Sequence, residues 1–312
     1  MRNCFSSWHV YKRCCRSCHS LFGGEVLSSA YITKVISILV EFFLPMYFKK
    51  KRMKKIFAIA FLFVLKITST SGQLSKLELK KADHHLMQYY ISLPGNWSPD
   101  KKWPVVIAIE DAGKQFKKNA ERFMDARKDM PFIIVVPFIT TNGQQGHKDP
   151  TIYPYSKAVW DTIDKISICK FDIDGLQSII SDVKANFSGS EKVFITGFEA
   201  GTHLLWSMIF QHPELLYAAA PVAGNYRGRC MENNSFSNDN SRIQLPINNF
   251  TGSDDNGFGV KGTYYYQYLE AKNQAIAHGY KNISETTVAG KGHVSLPGEV
   301  LEYFNKVWIH AK

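Results

Sequence analysis

The chain has 312 residues, of which 45% are apolar and 21% are charged, a composition typical of a folded globular protein. The formal net charge of +11 lies almost wholly outside residues 73–312, where 26 basic and 25 acidic residues leave a net charge of +1. These residues therefore lack the basic footprint of a nucleic-acid-binding domain, and we expect no nucleic-acid partner.

Residues 53–72 have the pattern of a secretory signal peptide. A basic start at 53–55 precedes an apolar core at 56–65, and small residues at 70–72 supply a cleavage site before Gln73. We therefore expect a secreted or periplasmic protein that meets a membrane only through this signal peptide.

Residues 1–52 stand in front of this signal, which suggests that Met53 is the true start. We expect 1–52 to be an upstream extension outside the mature protein, and 73–312 to be the mature domain. The alternative is a second membrane segment at 35–48. That stretch contains Glu41 and Pro45, and it is shorter than the ~20 residues that a spanning helix needs.

Most of the cysteines fall in the extension. Cys4, Cys14, Cys15 and Cys18 precede the signal, and the spacing of the last two is weak support for a zinc site without a second pair. Only Cys169 and Cys230 remain in 73–312. In an oxidising compartment they can form one disulfide; two buried free thiols are the equal alternative.

Beyond residue 73, apolar runs and amphipathic stretches alternate along the chain. The predicted strands are 87–93, 103–109, 132–137, 192–196, 217–223, 245–250 and 283–288, and the predicted helices are 116–127, 172–187, 204–211, 263–278 and 297–310. No regular element is predicted for 73–86, and Trp160 is assigned to a loop. This alternation predicts a single α/β domain with a doubly wound, mostly parallel sheet and helices on both faces.

Residues 193–203, Val-Phe-Ile-Thr-Gly-Phe-Glu-Ala-Gly-Thr-His, have the pattern of a nucleophile elbow, in which a strand passes through a tight turn into a helix. Gly197 and Gly201 preserve the G-x-S-x-G frame, but Glu199 occupies the serine position. The loops after strands of such a sheet converge at its carboxyl edge, so an acid after residue 250 and His293 should approach the elbow. The chain order of elbow residue, acid and histidine is that of the α/β-hydrolase triad.

From about Leu86 to Trp308 the chain resembles secreted α/β-hydrolases of the polyhydroxybutyrate-depolymerase and feruloyl-esterase type. The matching stretches are 93–97, 102–108, 119–123, 196–198 with 200–201, 220–224 and 290–293. The resemblance implies the α/β-hydrolase fold, ester hydrolysis by Ser-His-Asp chemistry without a cofactor or metal, and a small-molecule or polymeric ester or carbohydrate ligand. It also implies that Asp255 is the acid, with Asp254 as second choice, and that His293 is the base.

The chain departs from this family where the chemistry occurs. Glu199 has no proton to give to a base near neutral pH, and we expect its carboxylate to form an ion pair with His293. The oxyanion hole should be built from the N–H of Ala200 and from the loop after residue 109. That loop carries Glu110 and Asp111, two carboxylates of the wrong sign for stabilising an oxyanion.

Three hypotheses follow. The first is a degenerate hydrolase that acts as a binding or accessory protein. The second is an active hydrolase with Glu199 as a carboxylate nucleophile, as haloalkane dehalogenases and epoxide hydrolases use aspartate at the elbow. The third is a metal or cation site formed by Glu199, His293 and Asp255 with Glu110 or His203. Residual esterase activity through Thr202 or Ser207 is less favoured by the elbow geometry.

Overall fold

The computed structural model of the chain describes residues 76–143, 148–231 and 235–310. The chain divides into two units, Met1–Ser71 and Gly72–Lys312, and every described residue lies in the second. The predictions for the extension 1–52, its cysteines, the segment 35–48 and the signal peptide 53–72 therefore lie outside the described residues. In the described ranges, no helix has the length and apolar character needed to cross a membrane.

Eight strands form one sheet in the order β1-β2-β4-β3-β5-β6-β7-β8. The strands are β1 (Leu77–Lys81), β2 (Gln88–Ser92), β3 (Val105–Ile109), β4 (Ile133–Pro137), β5 (Val193–Phe198), β6 (Leu216–Val222), β7 (Ile247–Gly252) and β8 (Ile283–Val288). β2 runs antiparallel to both of its neighbours, and the other pairs are parallel. The predicted doubly wound, mostly parallel sheet is confirmed.

The described residues form seven α-helices and two short 3₁₀ turns. The helices are α1 (Phe116–Arg127), α2 (Lys157–Ile166), α3 (Ile168–Asn186), α4 (Thr202–Gln211), α5 (Ser241–Gln244), α6 (Tyr265–Ala277) and α7 (Pro297–His310); the turns are Glu199–Gly201 and Pro213–Leu215. Every residue of β3, β4, β5 and β7 is buried, because helices cover both faces of the sheet.

The strand β1 was not predicted from the sequence. It pairs antiparallel with β2 at the edge of the sheet, and Leu79 at its centre is 51% exposed. An edge strand of this kind buries few side chains, so it leaves little apolar signal in the sequence.

The region before the predicted helix 172–187 also differs from expectation. Trp160 lies in α2 rather than in a loop, and α3 begins at Ile168. Each helix has a serine at its N-cap: Ser156 Oγ accepts the Val159 N–H, and Ser167 Oγ accepts the Lys170 N–H. These caps mark helix starts that apolar periodicity alone does not locate.

Candidate active site

The turn after β5 has the backbone geometry of a nucleophile elbow. Glu199 adopts a φ of 47°, a left-handed conformation that costs a side-chain-bearing residue about 1–2 kcal/mol. A 3₁₀ turn at Glu199–Gly201 then leads directly into α4. The strain persists because the strand and the helix on either side of the turn are both buried, and it presents the Glu199 side chain at the end of the sheet.

The two glycines of the frame are required by space rather than by φ. A Cβ on Gly197 would lie 3.0 Å from the carbonyl carbon and oxygen of Gly201. A Cβ on Gly201 would lie 2.6 Å from the Glu110 carbonyl oxygen, so the elbow packs directly against the end of β3. The glycines therefore bring the elbow and the β3 loop into contact whatever residue occupies position 199.

Gly201→Ala is expected to destabilise the fold by about 1–3 kcal/mol, because the new methyl group overlaps backbone atoms that cannot rotate away. Gly298→Ala is the matched control. Gly298 lies in α7 with no atom near the position of its Cβ, so alanine there should stabilise by about 0.4–1 kcal/mol. Urea unfolding measures both. Equal stability of Gly201→Ala and the wild type would contradict the close contact with β3.

His293 and Asp255 form a hydrogen-bonded pair beside the elbow. His293 Nδ1 lies 2.8 Å from Asp255 Oδ2, and Asp255 Oδ1 accepts the N–H groups of Gly257 and Phe258 at 2.9 Å each. Burial raises the pKa of the Asp255 carboxyl, but the Phe258 N–H and His293 outweigh burial and hold it below its ordinary value. Asp255 is therefore an ionised carboxylate. It holds Nδ1 of the imidazole, which leaves Nε2 directed away from the carboxylate.

Asp254 does not contact the histidine. Its carboxylate accepts the hydroxyl of Ser253 at 2.7 Å, while Ser253 Oγ also accepts the N–H of Gly290. Asp254 thus belongs to a turn that joins the loops after β7 and β8. Of the two acids considered from the sequence, Asp255 is the one paired with His293.

The expected ion pair between Glu199 and His293 is not formed. The ion pair of His293 within 4.0 Å is to Asp255, while Glu199 Oε1 accepts a long 3.4 Å hydrogen bond from Asn225 Nδ2. The backbone turn of Asp255 directs its carboxylate to Nδ1, and no Glu199 oxygen lies within 4.0 Å of either imidazole nitrogen. Among the described residues, no lysine, arginine or histidine forms an ion pair with the half-buried Glu199.

Asn225 is a site residue that the sequence did not reveal, and Thr202, considered from the sequence only as an alternative nucleophile, holds it in place. Thr202 Oγ1 accepts the Asn225 N–H at 2.6 Å and lies within donating distance of the carbonyl oxygens of Glu199 and Asn225, at 2.6 and 2.7 Å. This buried hydroxyl joins the loop after β6 to the elbow. Asn225 lies three residues after the end of β6, at the sheet edge where ligands bind. That position is the signal which could have identified it.

The β3 loop is less acidic than its sequence suggests. Glu110 is only 3% exposed, and burial followed by the nearby charge of Asp111 raises its pKa to about 8. Asp111 instead closes a local turn, because its Oδ1 accepts the Gly113 N–H at 2.7 Å. The expectation of two negative charges in this loop is therefore wrong for Glu110, which is a neutral acid at pH 7.

Aromatic and apolar side chains surround the imidazole. The His293 ring lies 4.8 Å from the ring of Phe198 and 5.2 Å from that of Phe258, centroid to centroid, and Phe258 contacts Tyr264. Tyr264 is 42% exposed, and Val294, which follows the histidine, is 46% exposed. An exposed apolar surface next to a polar pair is a typical feature of a ligand site.

The other candidates of the sequence do not assemble into a site. In the described part of the chain, no group of three or more His, Cys, Asp or Glu side chains is close enough to hold a metal ion. His203 is buried, and burial followed by the nearby Arg229 lowers its pKa to about 4, so it is neutral. Thr202 and Ser207 are fully buried and unavailable as alternative nucleophiles.

Cys169 and Cys230 form a disulfide. It joins the first turn of α3 to the loop that follows β6, across a sequence separation of 61 residues. Of the two alternatives left open by the sequence, the bonded pair is the one present.

No protein-family model matches the chain, and no curated protein matches it. Similar solved structures exist. The poly(aspartic acid) hydrolase-1 of Sphingomonas sp. KT-1 is 11% identical with a TM-score of 0.50, over 75% of this chain and 98% of that one. This similarity, the strand order and the strained elbow decide the fold. The chain has the α/β-hydrolase fold.

Esterases of this fold are also similar to the chain. A thermostable esterase is 16% identical over 77% of this chain and 63% of that one, with a TM-score of 0.47. The chain thus spans under two thirds of that esterase. Esterase 2 of Thermogutta terrifontis is 14% identical over 78% of this chain and 97% of that one, with a TM-score of 0.46. In this α/β-hydrolase fold, Glu199 lies at the tip of the strained turn after β5, with the His293–Asp255 pair beside it.

Proposed function

We propose that this α/β-hydrolase-fold protein binds a small-molecule or polymeric ester or carbohydrate ligand and does not hydrolyse it by serine chemistry. The observation that carries the proposal is Glu199 at the tip of the strained elbow. A serine hydroxyl gives its proton to histidine and becomes the nucleophile, whereas an ionised carboxylate has no proton to give. The exposed apolar surface around His293 supplies contact area for a ligand.

We further propose that the protein is secreted or periplasmic. The disulfide between Cys169 and Cys230 supports an oxidising compartment, because such bonds are rare where cellular thiols keep cysteines reduced. The pattern at 53–72 supports the same proposal from the sequence.

A second candidate function is hydrolysis with Glu199 as the nucleophile. It is favoured by the intact His293–Asp255 pair, since Asp255 holds Nδ1 and leaves Nε2 without a hydrogen bond to a described residue. In this reaction a Glu199 oxygen attacks an electrophilic carbon and expels the leaving group, which forms an enzyme ester. His293 Nε2 then takes a proton from water, and the resulting hydroxide attacks the ester carbonyl and releases the product.

One pair of measurements on the purified full chain separates these functions. We expect p-nitrophenyl acetate to be hydrolysed no faster by the wild type than by Glu199→Ala. Hydrolysis that disappears in Glu199→Ala would overturn the binding function. Intact-mass measurement after incubation with styrene oxide or 1-chlorohexane tests the second candidate, because an adduct mapped to Glu199 would establish the carboxylate nucleophile.

A further inference from the structure

The loop after β6 connects the elbow to the disulfide. It leaves the sheet at Val222, reaches the elbow at Asn225 and continues to Cys230, which is bonded to Cys169 of α3. Asn225 and Cys230 are five positions apart in the chain, a span of at most about 18 Å. The elbow contact and the disulfide are therefore joined by one short segment, in which the buried Tyr226 lies.

The elbow end of this loop is held by backbone hydrogen bonds to a buried side chain. Thr202 is fully buried, and its hydroxyl accepts the Asn225 N–H at 2.6 Å. The same loop supplies the amide that contacts the Glu199 carboxylate, at 3.4 Å. The position of the loop thus determines the polar surroundings of Glu199.

The far end of the loop is held by α3 and its neighbours. Besides the disulfide, the Cys230 carbonyl accepts Gln211 Nε2 at 2.6 Å, and Arg229 Nη1 donates to the Thr141 carbonyl at 2.8 Å. Thr141 belongs to the loop after β4, and its N–H donates to Asp172 Oδ2 at 2.7 Å.

The first turn of α3 therefore anchors two loops at once. Cys169 holds the β6 loop covalently, and the fully buried Asp172, three residues later on the same helix face, holds the β4 loop through Thr140 and Thr141. The β4 loop in turn reaches the β3 loop, because Asn142 Nδ2 donates to the Asp111 carbonyl at 2.7 Å. The disulfide is thus the covalent part of a network that also holds the elbow and the β3 loop.

We propose that the Cys169–Cys230 disulfide is a redox-sensitive tether that controls the surroundings of Glu199. An external dithiol reduces it in two exchanges. One thiolate attacks a cysteine sulfur and forms a mixed disulfide, and the second thiol then displaces the other cysteine as the reagent closes into a cyclic disulfide. Two electrons and two protons pass to Cys169 and Cys230. The β6 loop then keeps its hydrogen bonds and the packing of Tyr226 but loses its covalent anchor to α3, and Asn225 is held less firmly beside Glu199.

The coupling must act in both directions, because the free energy that links two sites is reciprocal. Cys169 and Cys230 are 8% and 5% exposed, so a reductant reaches them only when the loop opens. Contacts that hold Asn225 on the elbow therefore protect the disulfide. The proposed regulation acts on the proposed binding site and so rests on the proposed function. Protection of the disulfide requires no ligand, so a failed reduction test would leave the proposed binding function untouched.

The test follows the reduction of the full chain by dithiothreitol, quenched with N-ethylmaleimide and analysed by peptide mass spectrometry. This readout separates Cys169 and Cys230 from the other four cysteines. Thr202→Val removes the hydroxyl that holds Asn225, and Thr202→Ser retains it. We expect Thr202→Val to accelerate reduction about five-fold or more, the low end of such couplings, and Thr202→Ser to react at the wild-type rate. Equal rates in the two variants would overturn the proposal.

Two further measurements separate coupling from general loss of stability. Tyr89→Phe removes a buried hydrogen bond to Asp182, at the other end of α3. We expect it to lower the thermal stability about as much as Thr202→Val does and to leave the reduction rate unchanged. Carbodiimide labelling of Glu199 in the wild type is expected to change on reduction relative to the exposed Glu270. A constant Glu199 to Glu270 labelling ratio would contradict control of the site by the disulfide.

Discussion

Glu199→Ser is expected to introduce hydrolysis of p-nitrophenyl acetate. The histidine and acid that a serine needs are already paired, with His293 Nδ1 2.8 Å from Asp255 Oδ2. The elbow already has the strained φ of 47° that presents the side chain at position 199. Because Asp255 holds Nδ1, Nε2 is the nitrogen available to take the proton of a serine at position 199, so we expect one substitution to supply the missing nucleophile.

The size of this gain follows from two opposing effects. A functional triad contributes about 10⁶ in kcat, and a defective oxyanion hole removes about 10²–10³ of it. We therefore expect Glu199→Ser to exceed Glu199→Ala by about 10³–10⁴-fold. The double variant Glu199→Ser/His293→Ala is the control and should fall back to the Glu199→Ala rate. Absence of any gain would show that the β3 loop, and not only position 199, blocks ester hydrolysis.

Glu110→Gln is expected to remove a large pH dependence from the stability of the fold. The folded-state pKa of about 8 lies above the ordinary value of 4.5, so the folded protein holds this proton more tightly than the unfolded chain. Between these two pH values the stability of the wild type falls as pH rises. Each pH unit in this window corresponds to about 1.4 kcal/mol, which gives a total effect of a few kcal/mol.

Glutamine is a close match to the protonated glutamic acid. Its amide can donate to Asp111 as the acid does, and its carbonyl can accept the Gln115 N–H. Urea unfolding from pH 5 to pH 9 should therefore give similar stabilities at pH 5 and a growing advantage for Glu110→Gln above it. Asp172, whose pKa burial raises to about 7, titrates in both proteins and cancels in the comparison. Parallel stability curves would be incompatible with a buried neutral Glu110.

Much of the fold could be predicted because its signals are local. Continuous apolar runs such as Val105–Ile109 indicate buried parallel strands, and the small residues Gly197 and Gly201 indicate the elbow. The edge strand β1 and helix α2 were missed, because a half-exposed edge gives little apolar pattern and a serine cap is a weak signal on its own.

The site was predicted only in part, because its chemistry depends on distances between loops. The sequence named Asp255, Asp254 and His293 but could not decide which carboxylate contacts the imidazole; the backbone turn around Asp255 decides it. The Glu199–His293 ion pair was expected from the chain order of the motif, yet no Glu199 oxygen lies within 4.0 Å of an imidazole nitrogen.

The sequence by itself determined the scaffold of this protein and predicted that Glu199 stands at the tip of its elbow. Periodicity and glycine spacing are properties of residues close together in the sequence, so they can be recognised without knowledge of the fold. Tertiary structure alone decided that Glu110 is neutral, that Asn225 contacts Glu199 and that Cys169 is bonded to Cys230. Burial, hydrogen bonding and disulfide pairing depend on residues brought together from distant positions in the chain. These tertiary contacts set the electrostatics of the elbow.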